Sequence, residues 1–336
     1  MNPQHELSRA VYALDTDLRV EVRTDHPDLL VYLDEFFPRS PLPTTRWTIE
    51  SLLTAPDPDR MQINDWGAGY RVDLERGVLH RATTDPTSLK AGTRNALREV
   101  LIDHWEQSGY TMLHASAVRK GDLLVVIVGD ECAGKTTLML GALLNQGFTF
   151  VANDHLVIHR DQGALAVTEL PDVISVRTST FVQMRELLPD PYDANGVDVT
   201  SLRGLPAPLV QDREELMYYT PRSLGQAHRT SVRCGPHEST RVVIVSASFA
   251  PGGSEAGAPR SEAGGAGLLI PHVRADWVSD PQRNVHELAR EERSPDGFAT
   301  ESMLLTRDLA QRARAFRWEH GGDLTPLLAL LGEVEG

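Results

Sequence analysis

The sequence predicts a mixed α/β protein in two parts. An α+β region covers residues 1–105, and an α/β region built on one strand–loop–helix unit covers 106–336. Three observations predict it. The stretch VVIVGDECAGKTT (125–137) runs β-branched residues into a glycine-bearing turn and then a helix former. Short apolar runs bounded by Gly, Pro, Asp and Asn recur along the chain, with helical patterns between them. The length of 336 residues suits one large domain or two ordinary ones, and 41% apolar residues can fill a substantial core.

The elements follow in order. LRVEV (18–22) has strand character, and HPDLLVYLDEFF (26–37) has helical spacing that Pro38 ends. RWTIESLL (46–53), YRVDL (70–74) and GVLHRA (77–82) read as strands. Residues 87–109 read as a helix with Leu97, Val100, Leu101 and Trp105 on its apolar side. TMLHASAV (111–118) and DLLVVIV (122–128) are predicted strands, 136–145 a helix closed by Gly147, and FTFVAND (148–154) a third strand. The strand before the loop and the strand after the helix are expected to form a parallel pair, and added antiparallel strands would make the sheet mixed. LVIHR (156–160) and ALAVTEL (164–170) suggest a hairpin. Further on, the sequence predicts a helix near 180–188, a polar segment 189–215, a strand RVVIVSASF (241–249) and a loop 251–267. A strand LLIPHV (268–273) and a helical region 300–335 complete the chain.

Composition excludes several classes. The net charge is −14, from 33 basic and 47 acidic side chains. Nucleic-acid binding rests on clustered Lys and Arg, so no nucleic-acid partner is expected, and an anionic membrane surface is equally disfavoured. There are two cysteines, Cys132 and Cys234, and no C-x-x-C pair. The amino-terminal residues lack the apolar core of a signal peptide, and no run approaches the roughly 18 apolar residues of a membrane span. A soluble cytoplasmic protein with reduced thiols is expected.

The residues Gly129, Asp130, Glu131, Cys132, Ala133, Gly134, Lys135, Thr136 and Thr137 form a G-x-x-x-x-G-K-T motif and its next residue. The glycines let backbone N–H groups converge on phosphate oxygens, and the following helix points its dipole at the anion. Lys135 would reach the β- and γ-phosphates, and the Thr136 hydroxyl would sit on Mg²⁺. A nucleotide's phosphate chain and Mg²⁺ are therefore the expected ligands. A second oxygen ligand is needed near the metal, and Asp154 ends the strand after the helix. The alternative role for Asp154 is to cap a turn. His114 stands on the strand before the loop, either as a core histidine or in a functional role beside the phosphate strand. His155 and His159 would share one strand face and read as ordinary face residues. Arg177 and Arg222 could neutralise phosphate charge, although a salt-bridged or solvated role is the commoner one. Cys132 reads as tolerated in the loop, and HELAREER (286–293) as a solvated helix.

LHASAV (113–118), GDECAGKTT (129–137) and VAND (151–154) together resemble the HPr serine kinase family. The resemblance implies a P-loop kinase domain of the HPr kinase/phosphoenolpyruvate carboxykinase type, using ATP and Mg²⁺ to phosphorylate a hydroxyl. By the same resemblance, Lys135 and the loop amides hold phosphates, and Thr136 holds Mg²⁺, with Asp154 the candidate second ligand from its place after the loop. Asp154 also accepts the hydroxyl proton, and His114 lies near the transferred phosphate. Asn153 stands where the family carries an acidic residue, and Glu131 and Cys132 stand where small residues are usual. The family's Glu-Leu-Arg-Gly-Leu-Gly stretch is missing soon after Asp154; SLRGLP (201–206) echoes it later. These departures point away from HPr, toward a peptide serine or a small metabolite as acceptor. The 1–105 region would place the acceptor or form a homodimer. The competing expectation is a nucleotide-binding regulator that hydrolyses ATP slowly.

Overall fold

The computed structural model describes residues 7–44, 46–64, 67–205, 215–227, 231–234, 238–249, 259–274, 295–321 and 325–335. They divide into two compact units, residues 7–109 with 295, and residues 110–274 with 296–335.

The first unit holds one six-stranded sheet. Its order is β1 (Ser8–Ala13), β2 (Arg19–Thr24), β3 (Trp47–Leu52), β6 (Val78–Ala82), β5 (Gly69–Asp73) and β4 (Gln62–Ile63). β2, β3 and β6 are parallel neighbours, and the outer pairs are antiparallel. A short helix, α1 (Asp28–Leu33), follows β2, and α2 (Pro86–Gln107) follows β6. Asp85 caps α2 by accepting from the Thr87 and Ser88 amides, and Pro86 takes the first position, where a missing N–H costs nothing. Leu89, Ala96, Leu97, Val100, Leu101 and Trp105 form the buried side of α2.

The second unit is built on a mixed six-stranded sheet. Its order is β10 (Thr149–Ala152), β8 (Ser116–Lys120), β9 (Leu123–Val128), β16 (Arg241–Phe249), β18 (Ala313–His320) and β17 (Arg260–Glu262). β9, β16 and β18 are parallel, whereas β8 and β17 run against their neighbours. All six residues of β9 are buried, as a central strand covered on both faces requires. Leu123, Val125 and Ile127 pack with the helix α3 (Lys135–Gln146). Leu124, Val126 and Val128 face the opposite core with Leu305 and Leu309 of a long helix over Pro295–Gln311. Each such buried aliphatic side chain contributes roughly 1.5–3 kcal/mol. A four-stranded sheet, ordered β15 (Val232–Arg233), β12 (Ala164–Glu169), β11 (Leu156–Asp161) and β7 (Thr111–Leu113), adds to that second core. A two-stranded ladder, β13 (Ile174–Arg177) with β14 (Leu216–Tyr219), supports the α3 side. Short helices α4 (Thr178–Gln183), α5 (Val199–Gly204) and α6 (Ala266–Leu269) precede the long helix, numbered α7, and Thr325–Glu335 is α8. None of the described helices is long and apolar enough to cross a membrane.

The α/β class and the mixed sheet match the expectation, and the predicted hairpin joins β11 to β12 through Gln162 and Gly163, both at positive φ. Five expectations change. The 111–118 strand is two strands in two sheets, broken at His114 and Ala115. The strands around the loop, β9 and β10, run in the same direction but are not neighbours, because β8 lies between them, antiparallel to both. Residues 268–272 are helical, α6 running into a 3₁₀ turn over Ile270–His272, since Pro271 has no amide for a ladder but suits a first helical turn, and the extended Val273 bridges to Leu113. The expected 251–267 loop contains β17 and the start of α6. The expected 300–335 helical region is interrupted by β18, where Phe316, Trp318 and His320 turn inward at period 2. The 286–293 helix lies outside the described residues.

Candidate functional site

β9 and β10 end at the same edge of the central sheet. Loop 129–134 leaves β9 there and leads into α3. Gly129 has φ +152°, and a Cβ there would lie 2.4 Å from the Ala247 carbonyl oxygen on β16. Gly134 caps α3 at φ +85°, and a Cβ there would lie 2.8 Å from the His320 ring. Cys132 takes φ +62°, uncommon for a residue with a Cβ. Side-chain-free backbone thus packs tightly on both sides of the loop, and Lys135 opens the helix. Its ammonium is buried and donates to the Gly129 and Asp130 carbonyl oxygens, 2.9 Å each. Burial lowers its proton affinity, while the charges of Asp154 and Asp130 oppose that.

β10 carries a bulge between Phe150 and Ala152 that re-aims its end. Asn153 and Asp154 follow. The His155 amide donates to the Asn153 carbonyl at 2.7 Å, closing a tight turn over Asp154, whose φ is +60°. Asp tolerates this left-handed region better than most residues, and strain of this kind concentrates at functional sites. The side chains form one chain of contacts. Asn153 Oδ1 accepts from Thr136 Oγ1 at 3.1 Å and from Ser116 Oγ at 3.0 Å, and Asn153 Nδ2 donates to Asp154 Oδ2 at 3.3 Å. The orientation of the amide follows from chemistry: an ionised carboxylate only accepts, so the NH₂ faces Asp154. His114 Nε2 lies 3.6 Å from Asp154 Oδ1. Burial pushes the Asp154 carboxyl up, but the His114 contact and the nearby Lys135 ammonium help to outweigh it, and the carboxyl lies below its ordinary range.

The segment 270–274 adds two residues that sequence reasoning did not single out. His272 accepts the His114 amide through its carbonyl at 2.8 Å. Burial pushes its imidazole down, Lys135 and His114 add to this, and Asp130 opposes it. Arg274 donates to His155 Nε2 at 2.9 Å, since a guanidinium has no acceptor. His320 is the third addition: it is buried, and its Nε2 lies 2.9 Å from the Ala133 carbonyl oxygen. The inward alternation Phe316, Trp318, His320 was its signal in the sequence. His272 had none, because only the fold returns it to His114.

The other candidates separate. His159 is buried on β11 and stacks on Tyr110 at 4.5 Å between centroids, while His155 sits at the turn with Arg274. Among the described residues there is no cluster of three or more His, Cys, Asp or Glu placed to hold a metal. Arg177 reaches Glu131 of the loop at 3.6 Å, a pair weakened by Glu131's exposure. Arg222 follows β14 past the Ile174 end of its ladder, opposite to Arg177, so the two arginines do not meet at the loop. Thr137 bonds Thr180 of α4 at 2.9 Å. Cys132 is exposed and Cys234 buried, both as free thiols. Thr136 and Asp154, joined by Asn153, present only oxygen toward a cation, a donor set that suits magnesium together with phosphate oxygens.

No protein-family model and no curated protein sequence matches the chain.

Asn153→Asp should place two carboxylates within reach of each other. Like charge disfavours ionisation, so the shared site should bind a proton at higher pH than Asp154 alone. The carboxyl titration of the site, followed by NMR, should then move upward by about one unit or more. An unmoved titration would show that residues 153 and 154 do not titrate together.

Proposed function

We propose that the chain is an ATP-dependent kinase with a P-loop fold of the HPr kinase/phosphoenolpyruvate carboxykinase type. It would transfer the γ-phosphate to a hydroxyl of a peptide serine or a small metabolite. The observation that carries this is the unbroken side-chain path from Thr136 through Asn153 to Asp154 and His114, beside buried Lys135.

In this proposal the amides of loop 129–134 and the start of α3 bind the phosphate chain. Lys135 exchanges two carbonyl oxygens for β- and γ-phosphate oxygens, which match its charge better. Thr136 and Asp154 would hold Mg²⁺, which supplies charge neutralisation on the phosphates. Asp154 accepts the acceptor's hydroxyl proton as that oxygen bonds to the γ-phosphorus. The bond from this phosphorus to the bridging oxygen breaks, and ADP leaves. His114 orients the carboxylate and keeps it ionised. The backbone carbonyl of His272 holds His114 in turn.

The test is incubation of the purified chain with ATP, Mg²⁺ and candidate peptides and metabolites, with mass spectrometry for an acceptor gaining one phosphate. Lys135→Ala removes a charge-assisted contact of about 1.5–3 kcal/mol, so ATP affinity should fall roughly 10- to 100-fold by calorimetry. Unchanged affinity would remove Lys135 from the phosphate site. Asn153 in place of an acidic residue favours a second reading, a regulator that binds ATP and hydrolyses it slowly. ATP binding without any phosphorylated acceptor, and hydrolysis indifferent to Asp154→Asn, would select it.

A further inference from the structure

We propose that Phe249 is the platform on which the base of the bound nucleotide stacks. This rests on the nucleotide assignment above and adds to it a subsite for the base. Two independent observations lead to it, one of direction and one of chemistry.

The direction comes from the sheet. Loop 129–134 lies between two flanks of one edge. On the β10–β8 flank stand Asn153, Asp154 and His114. On the β16–β18 flank stand Phe249 and His320, the last residues of their strands and partners in register. With Asp154 taking the proton from the hydroxyl that attacks the terminal phosphate, that phosphate sits toward β10. A triphosphate is a linear chain, so the nucleoside leaves the loop on the opposite flank, over the ends of β16 and β18. The Ala247 carbonyl, two residues before Phe249, already lies against Gly129 of the loop.

The chemistry at that flank is aromatic. Trp318, His320 and Phe249 form a row of rings, with centroids 4.7 Å and 5.5 Å apart. Trp318 and His320 are each 2% exposed, whereas Phe249, the outer member, is 47% exposed. The row therefore ends in a ring with a face open to a planar ligand, and every nucleobase has a π-face to set on it. The middle ring also touches the loop, since His320 Nε2 lies 2.9 Å from the Ala133 oxygen. The same row that would receive the base supports the loop that would hold the phosphates.

The experiment is calorimetric titration of the full chain with ATP, ADP and inorganic tripolyphosphate. Wild type is compared with Phe249→Ala, Phe249→Leu and Phe249→Tyr. The alanine and leucine variants should bind ATP and ADP about tenfold more weakly, with tripolyphosphate unchanged, and tyrosine should restore wild-type affinity. Leucine and tyrosine keep bulk at the strand end, so they remain informative if alanine impairs folding. Wild-type ATP affinity in the leucine variant overturns the platform and leaves the nucleotide assignment standing. An equal loss for ATP and tripolyphosphate also overturns it, since Phe249 would then only brace the loop. Wild-type protein that binds none of the three overturns both.

Discussion

In the proposed kinase, replacing Asp154 with Asn should lower the rate of phosphoryl transfer by about 10²–10⁴, as loss of a positioned base does. Asn suits the substitution because it tolerates the φ of +60° that the turn imposes on residue 154. The backbone and the Asn153 amide should therefore stay in place. Stability adds a second readout. The folded chain holds this carboxyl below its ordinary value of 3.8. A depressed carboxyl stabilises the fold when ionised, so its contribution is complete above the unfolded value and disappears as pH falls through the folded one. The melting temperature of wild type should accordingly fall more steeply than that of the variant as pH drops below about 4. Steady-state phosphoryl transfer and melting curves between pH 3 and 6 check both. A variant with wild-type turnover would leave Asp154 as a turn residue only.

Gly129→Ala should damage the molecule more broadly. A Cβ at this position would meet the Ala247 carbonyl oxygen at 2.4 Å and the Ala133 Cβ at 2.8 Å, at a φ of +152° that L residues rarely adopt. The first contact is backbone in a central strand, which cannot rotate away as a side chain could. Backbone strain of about 1–3 kcal/mol and overpacking of similar size combine, so the loss should be roughly 2–5 kcal/mol. For a domain of this size that lowers the melting temperature by roughly 5–15 °C. In the proposed kinase, ATP binding should be lost along with it, because relief of the clash moves the loop. A melting temperature within two degrees or so of wild type would show that β16 and the loop give way more easily than close packing allows.

The legible parts of this chain are those whose signals are local. VVIV reads as a buried strand because four β-branched residues in a row cannot favour a helix surface, and β9 is buried throughout. Gly134 before Lys135 marks the helix start, and Gly147 closes α3 at positive φ. The two apolar runs in 156–170 with Asp161-Gln162-Gly163 between them name a hairpin that the fold contains. Asp154 was found because an acidic residue ends an apolar strand just after the loop helix, and strand direction alone brings both ends to one edge.

Other parts carried no such signal. ARAFRWEH alternates at period 2, but it follows a helical pattern directly, and only pairing with β16 makes it a strand. The break at His114 and Ala115 is invisible in TMLHASAV, since every residue there suits a strand; two different sheets compete for its halves. Asn153 reads locally as a missing acid. In the fold it is the group through which Thr136, Ser116 and Asp154 are joined.

By itself, then, the sequence determined the α/β class, the strand–loop–helix unit, and the pairing of Lys135 and Thr136 with an aspartate at the end of a later strand. Those follow from periodicity and turn chemistry, which act over a few residues. The tertiary structure alone decided that β8 separates β9 from β10, that His272 and Arg274 return to His114 and His155, and that His320 packs on the loop at Ala133 with the Phe249 ring beside it. Those depend on which strands share a sheet, a choice made by burying two apolar faces across some 200 intervening residues, beyond the reach of any local pattern.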